Sequence, residues 1–281
     1  MNRFKKVRFV CSIVALLVFV VFGGLAFRSY QRVQTVKLAI EAAGGSVKLE
    51  NRVPAYLRLF LGEDNHTFLD ETILTEVILD GRDVGDENLK RLADILTPPA
   101  AFPNLRSLDF KISNITSEGL EYLRGLKNLR SLNVGFTQVS DLTPIETFTE
   151  LESLGLYSSQ VGDADLKRLE NFRNLHTLHA GDLELTDIGL KYVANCSNLR
   201  ILGLKDTTLS EQGFGYIHQL TRLETLVLFD SKFRGEDLNH FRRTFPKCVV
   251  ICNELLSKLP ETLQSSEDSQ PEEHIDEDTS P

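Results

Sequence analysis

Residues 175 to 193 read Leu175-His176-Thr177-Leu178-His179-Ala180-Gly181-Asp182-Leu183-Glu184-Leu185-Thr186-Asp187-Ile188-Gly189-Leu190-Lys191-Tyr192-Val193. The two halves of this stretch keep different periods. Leu178 and Ala180 are separated by a single polar residue, the alternation of a short strand, whereas Leu190 and Val193 stand three apart, as on one face of a helix. Between them Thr186-Asp187 supplies a hydroxyl that accepts from the free N–H groups of a helix start and a carboxylate that suits its dipole. A strand, a turn and a short helix are therefore predicted within about twenty residues.

The pattern recurs on both sides. Leu105-Arg-Ser-Leu108, Leu129-Arg-Ser-Leu132, Leu151-Glu-Ser-Leu154, Leu175-His-Thr-Leu178, Leu199-Arg-Ile-Leu202 and Leu223-Glu-Thr-Leu226 open six units spaced 24, 22, 24, 24 and 24 residues apart. An earlier unit opens at Leu74 and is followed after 31 residues, because Thr97-Pro98-Pro99-Ala100-Ala101 lengthens its connection. Ten residues after each opening stands Val84, Ile115, Val139, Val161, Leu185, Leu209 or Phe233. Apolar residues fifteen and eighteen positions after the opening, such as Leu120 with Leu123 and Phe214 with Ile217, complete the helical turn. Self-similarity at a fixed period marks a stacked-repeat architecture.

These units resemble leucine-rich repeats of the 24-residue kind, whose consensus ends Thr-Asp-x-Gly-Leu, as Thr186-Asp187-Ile188-Gly189-Leu190 does. The resemblance covers residues 73 to 253. It implies an α/β solenoid, a horseshoe with a parallel sheet on its concave face and short helices on its convex one. The unit from Leu129 is similar to the internalin variant at Ser140-Asp141-Leu142-Thr143-Pro144-Ile145, where a short 3₁₀ turn is expected in place of the helix. Leu183 interrupts a column of hydroxyl residues (Ser113, Thr137, Ser159, Thr207 and Ser231) and puts one internal hydrogen bond in question. The order of anchor, Ala39-to-Val47 segment and repeats resembles membrane-attached leucine-rich-repeat proteins of planctomycete-type bacteria. Residues 28 to 72 are then linker and N-terminal cap, with Ala55 to Leu61 as a covering helix, and Phe245 to Ile251 reads as a final capping strand.

The two ends differ from this body. Phe9 to Phe27 carries no charge over 19 residues, just long enough to cross a ~30 Å hydrocarbon layer. It predicts one transmembrane helix acting as a signal anchor. Arg3, Lys5, Lys6 and Arg8 in the basic segment 1 to 8 outnumber the bases that follow, so the N-terminus is expected in the cytoplasm and the repeats outside it. A cleaved signal peptide is the rival reading, with Leu25-Ala26-Phe27 a poor cleavage site. Residues 254 to 281 hold nine acidic side chains and Lys258 alone among bases. This segment is expected to be a disordered acidic tail, either solubilising or docking a basic partner. With that segment at -8 of a formal net charge of -9, the rest stands near -1, and no basic surface recommends a nucleic acid.

No catalytic, cofactor or metal constellation emerges. His176 and His179 are three apart on a strand and face opposite sides, and no Cys or carboxylate completes a ligand set. The chain has no phosphate-cradling glycine loop and no Gly-x-Ser-x-Gly elbow. Asp163, Asp187 and Glu211 recur at one repeat position and read as helix-start residues. Cys248 and Cys252 would lie roughly 13 Å apart on a strand, beyond disulfide reach, which leaves free buried thiols. The sequence therefore points away from an enzyme and towards a membrane-tethered interaction module. Envelope organisation and an adaptor role beside a separate enzyme are the alternatives, and the partner is a protein or an envelope polymer. Outward strand positions place Asp109, Lys111, Asn133, Tyr157, His179, Lys205, Val227 and Phe229 on the concave face. Their aromatic and apolar members either anchor a partner or tuck under the C-terminal cap or tail.

Overall fold

A computed structural model describes residues 31, 33–38, 40–42, 44–52, 71–96 and 104–253. Nine strands form one sheet in sequence order: β1 (Ser46–Arg52), β2 (Glu71–Ile78), β3 (Ser107–Asp109), β4 (Ser131–Asn133), β5 (Ser153–Gly155), β6 (Thr177–His179), β7 (Ile201–Gly203), β8 (Thr225–Leu228) and β9 (Val249–Cys252). From β2 onward every pairing is parallel, and the repeat openings set the register: Leu108 faces Leu132, then Leu154, Leu178, Leu202 and Leu226. All six of these leucines are buried to 1% exposure or less. Each such burial contributes about 1.5–3 kcal/mol, so this column and its equivalents hold the stack together.

The chain returns between strands through short helices on the opposite side: α1 (Asp86–Leu96), α2 (Ser117–Glu121), α3 (Asp163–Leu166), α4 (Asp187–Val193), α5 (Glu211–Ile217) and α6 (Gly235–Thr244). The unit from Leu129 has instead a 3₁₀ helix at Thr143–Thr147, as its shortened sequence predicts. Pro144 sits in its first turn, and Asp141 Oδ1 accepts from both the Thr143 N–H at 2.8 Å and its hydroxyl at 2.6 Å. A second 3₁₀ segment, Lys167–Asn171, follows α3 and was not signalled by any change in repeat length. Helices are wider than the ~4.8 Å strand spacing, so the sheet forms the inner side of the stack.

Adjacent repeats are also tied at their helix starts. Thr116, Thr186 and Ser210 cap their own helices, accepting from Glu118, Ile188 and Gln212 N–H groups. Each also donates to an aspartate of the preceding repeat: Thr116 Oγ1 to Asp86 Oδ2 at 2.7 Å, Thr186 Oγ1 to Asp163 Oδ2 at 2.5 Å, and Ser210 Oγ to Asp187 Oδ2 at 2.6 Å. The helix-start reading of Asp163 and Asp187 thus holds, with a second duty that the sequence did not disclose. Glu211 differs, pairing with Arg234 at 3.1 Å.

The hydroxyl column behaves differently from an inter-repeat ladder. Ser113 Oγ and Thr137 Oγ1 donate to carbonyls of their own turns, Phe110 and Val134, both at 2.6 Å. Ser231 alone reaches back a repeat, to Leu204 O. Leu183 fills its place as a buried apolar side chain, and Ser159 Oγ before it is buried without a partner among the described residues.

At the N-terminal edge β1 pairs antiparallel with β2, with a bulge between Lys48 and Leu49. Helical backbone over 33–38 and 40–42 buries Val33, Val36 and Ile40 in the core. The chain passes so close at Gly45 that a Cβ there would stand 2.5 Å from the Ile78 carbonyl oxygen. The antiparallel strand was not foreseen, because Ser46-Val-Lys-Leu-Glu-Asn-Arg52 alternates too weakly to stand out from its neighbours. The helix expected at Ala55 to Leu61, the 9-to-27 span and the 254-to-281 tail lie outside the described residues. Among the described residues no helix is long and apolar enough to cross a membrane. Cys196 and Cys252 are free and buried, and Cys248 is free and half-buried.

Candidate interaction face

Beyond the three-residue strands the ladder continues through a turn that the strand assignments do not capture. One residue per repeat adopts a left-handed backbone there: Gly81 (φ 111°), Ile112 (61°), Phe136 (55°), Ser158 (52°), Asp182 (53°), Asp206 (55°) and Asp230 (54°). From Ile112 onward this conformation turns the N–H toward the next repeat. Ile112 donates to Gly135 O at 3.0 Å, Phe136 to Tyr157 O at 2.8 Å, Ser158 to Gly181 O at 3.1 Å and Asp206 to Phe229 O at 2.9 Å. Asn253 closes the series, its Oδ1 accepting from Asp230 N at 2.8 Å.

Side chains on the inner face lie flat across neighbouring repeats, and glycines make room for them. A Cβ on Gly135 would stand 2.9 Å from the Tyr157 ring, one on Gly155 2.5 Å from Asn133 Oδ1, and one on Gly203 3.0 Å from His179 Nδ1. Gly135, Gly155, Gly181 and Gly203 are buried. They form the floor on which their neighbours rest.

The expected face residues divide accordingly. Asp109 and Asn133 fix turns, accepting from the N–H two residues on, Lys111 at 2.9 Å and Gly135 at 3.0 Å. Because Tyr157 leans over Gly135, Lys111 reaches its ring, with Nζ 6.0 Å from the centroid. Tyr157, His179, Lys205 and Val227 share an open cleft of about 340 Å³. Asp109 and Asn133 line a smaller hollow of about 150 Å³ that Tyr157 and His179 separate from the first. Phe229 is half-buried and lines neither of these two hollows. Burial among its neighbours pushes the His179 pKa below the ordinary imidazole value, although the residue keeps substantial exposure.

The large cleft includes four residues that sequence reasoning passed over: Phe136, Ser158, Asp182 and Asp206, all left-handed. Phe136 meets the Tyr157 ring edge-on, centroids 5.0 Å apart at 89°, and the Ser158 hydroxyl donates to Asp182. A signal was present in the column just beyond the strands, two or three positions after their ends, where Gly81, Asp182, Asp206 and Asp230 are residue types that tolerate positive φ. Among the described residues no three His, Cys, Asp or Glu side chains gather as a metal site needs. The arrangement offers an aromatic wall, a glycine floor and a rim of carboxylates, and it is equipped for contact.

No family model matches the sequence, and no curated protein does either. Similar solved structures include a leucine-rich-repeat protein of Leptospira interrogans, 22% identical over 53% of this chain and 38% of that one, with a TM-score of 0.43. Internalin C2 of Listeria monocytogenes is 20% identical over 70% of this chain and 90% of that one, TM-score 0.46. An internalin of the same species, InlF, is 19% identical over 66% and 58%, TM-score 0.45. The chain thus spans less than two fifths of the Leptospira protein's length. The chain's own repeat of leucines, its strand-by-strand parallel register and the helix or 3₁₀ turn that closes each unit give it the fold of a leucine-rich-repeat solenoid.

Proposed function

We propose that this chain is a non-catalytic interaction module that recognises a protein partner on the inner face of its sheet, tethered to a membrane through residues 9 to 27. The observation that supports this reading is the cleft walled by Phe136 and Tyr157. An exposed Phe136 packed against a half-buried Tyr157 offers contact area with few rotatable bonds to freeze, the property of anchoring residues in interfaces. The uncharged run from Phe9 to Phe27, with four bases before it, supports the tether, with the repeats on the exported side.

Cross-linked pull-down from the native membrane tests the reading. A Phe136→Ala, Tyr157→Ala variant is expected to lose a defined partner that wild type retains. A Tyr122→Ala, Ile188→Ala variant, altering exposed apolar residues at 45% and 59% exposure on the helical side, is expected to keep it. Loss of the partner from the second variant alone would move recognition to the helices and end the inner-face reading.

A further inference from the structure

We infer that the inner face takes an extended polypeptide segment carrying an apolar or aromatic residue followed, about four positions on, by a lysine or arginine. This rests on the interaction reading above and specifies the partner's chemistry.

The left-handed row carries the argument. A side chain with a Cβ adopts this conformation at a cost of about 1–2 kcal/mol, and a β-branched or bulky one is an outlier there. Ile112 and Phe136 nevertheless occupy it in adjacent repeats, at 43% and 47% exposure. Neither serves the leucine core, which lies on the other side of the sheet. Strained, exposed apolar side chains mark a surface held ready for a contact, and Tyr157 extends theirs through its edge-on packing with Phe136.

Along the same row the chemistry changes sign. Three consecutive repeats supply Asp182, Asp206 and Asp230. Asn253 Nδ2 donates to Asp230 at 2.6 Å, and the Ser158 hydroxyl donates to Asp182. Asp206 is exposed and its carboxylate has no partner among the described residues. Asp182 and Asp206 both line the cleft, against the single ammonium of Lys205, which forms no ion pair with either. The cleft therefore has an apolar, aromatic end and an acidic end. A guanidinium or ammonium satisfies the acidic end, through hydrogen bonds that are stronger for being charge-assisted. The Tyr157 ring already attracts one cation, Lys111.

Geometry fixes the spacing. Phe136 and Asp206 stand three strand intervals apart, about 14 Å at ~4.8 Å each. An extended peptide rises ~3.3 Å per residue and presents alternate side chains to one side. Residues i and i+4, about 13 Å apart, span the two ends. The chain's own segment 254 to 281 holds nine acidic residues, and its like charge excludes it as the occupant.

Selection of random dodecapeptides displayed on phage against the full-length chain tests the inference. Peptides with Phe, Leu or Ile and, four residues later, Arg or Lys are expected to dominate. Their affinity is expected to fall by about tenfold or more in an Asp182→Asn, Asp206→Asn variant whose thermal unfolding matches wild type, a loss of ~1.4 kcal/mol. Peptides without a basic preference, or unaffected by that variant, would overturn the charge assignment; if they still required Phe136 and Tyr157, the inner-face reading would stand. Absence of any enriched peptide would also overturn the inference, leaving the membrane pull-down to decide the broader reading by itself.

Discussion

Asp187 and Gly213, one repeat apart, form a fitted pair: a Cβ on Gly213 would stand 2.6 Å from Asp187 Oδ1, whose other oxygen accepts the Ser210 hydroxyl. Asp86 lies in the same way over Gly119, and Asp163 over Gly189. Within an ordinary helix Gly→Ala stabilises by ~1 kcal/mol. Gly213→Ala is expected instead to destabilise by about 1–3 kcal/mol, the cost of overpacking. Denaturant midpoints decide the sign, and adding Asp187→Ala should recover part of the loss. A midpoint raised by Gly213→Ala alone would sink this account.

Ile112 pays the backbone cost of a left-handed β-branched residue. Ile112→Asn should raise stability by about 1 kcal/mol, because asparagine tolerates this region and the exposed isoleucine gives up little burial. Calorimetric melting of the two proteins checks this, and an unchanged or lowered midpoint would show that Ile112 carries compensating contacts.

Burial pushes the Cys196 thiol up to about 12. The folded state therefore disfavours the thiolate, and stability from this group is full below the ordinary thiol pKa and lost as pH rises toward 12. The difference in stability between wild type and Cys196→Val should shrink or grow only across that alkaline window. At neutral pH the thiol should resist aromatic disulfide reagents until the protein unfolds. Fast labelling of native Cys196 would contradict the burial.

Asp141 initiates the 3₁₀ helix of the shortened repeat. The hydrogen bond from the Thr143 hydroxyl is the largest cause holding its carboxyl below the usual range, with the Arg168 charge adding to it. Its contribution is present above the ordinary carboxylate pKa and is lost as pH falls through the depressed one. Asp141→Ala should cost about 1 kcal/mol by removing the acceptor of the Thr143 N–H and hydroxyl, and Asp141→Asn much less. Urea titrations at neutral and acid pH distinguish them. A similar loss from both variants would shift the emphasis to the half-exposed Arg168 ion pair.

The stacking was legible because a solenoid is nearly one-dimensional: Leu108, Leu132 and Leu154 recur in the sequence at the interval at which they meet in space. The glycine of Thr186-Asp187-Ile188-Gly189-Leu190 was legible as a letter but not as a reason, since the aspartate above it belongs to the previous repeat. The cleft was half legible. Tyr157 and His179 follow from strand alternation, whereas Phe136 and Asp206 sit three residues past their strands, where a period of two no longer assigns a side. Phe229 obeyed the alternation and still fell outside the cleft, because alternation gives direction and not depth.

The left-handed row has a consequence for how such a protein diversifies. Its backbone rungs are closed by the carbonyls of the following repeat, and its side chains stand clear of the leucine core. A substitution there touches neither the glycine floor nor the helix caps, and costs only its own conformational preference and its contacts along the row, such as that of Ser158 with Asp182. Each repeat thus contributes one editable letter at ~4.8 Å intervals. Duplicating a unit copies a letter, point mutation rewrites it, and partner preference evolves without repair of the scaffold.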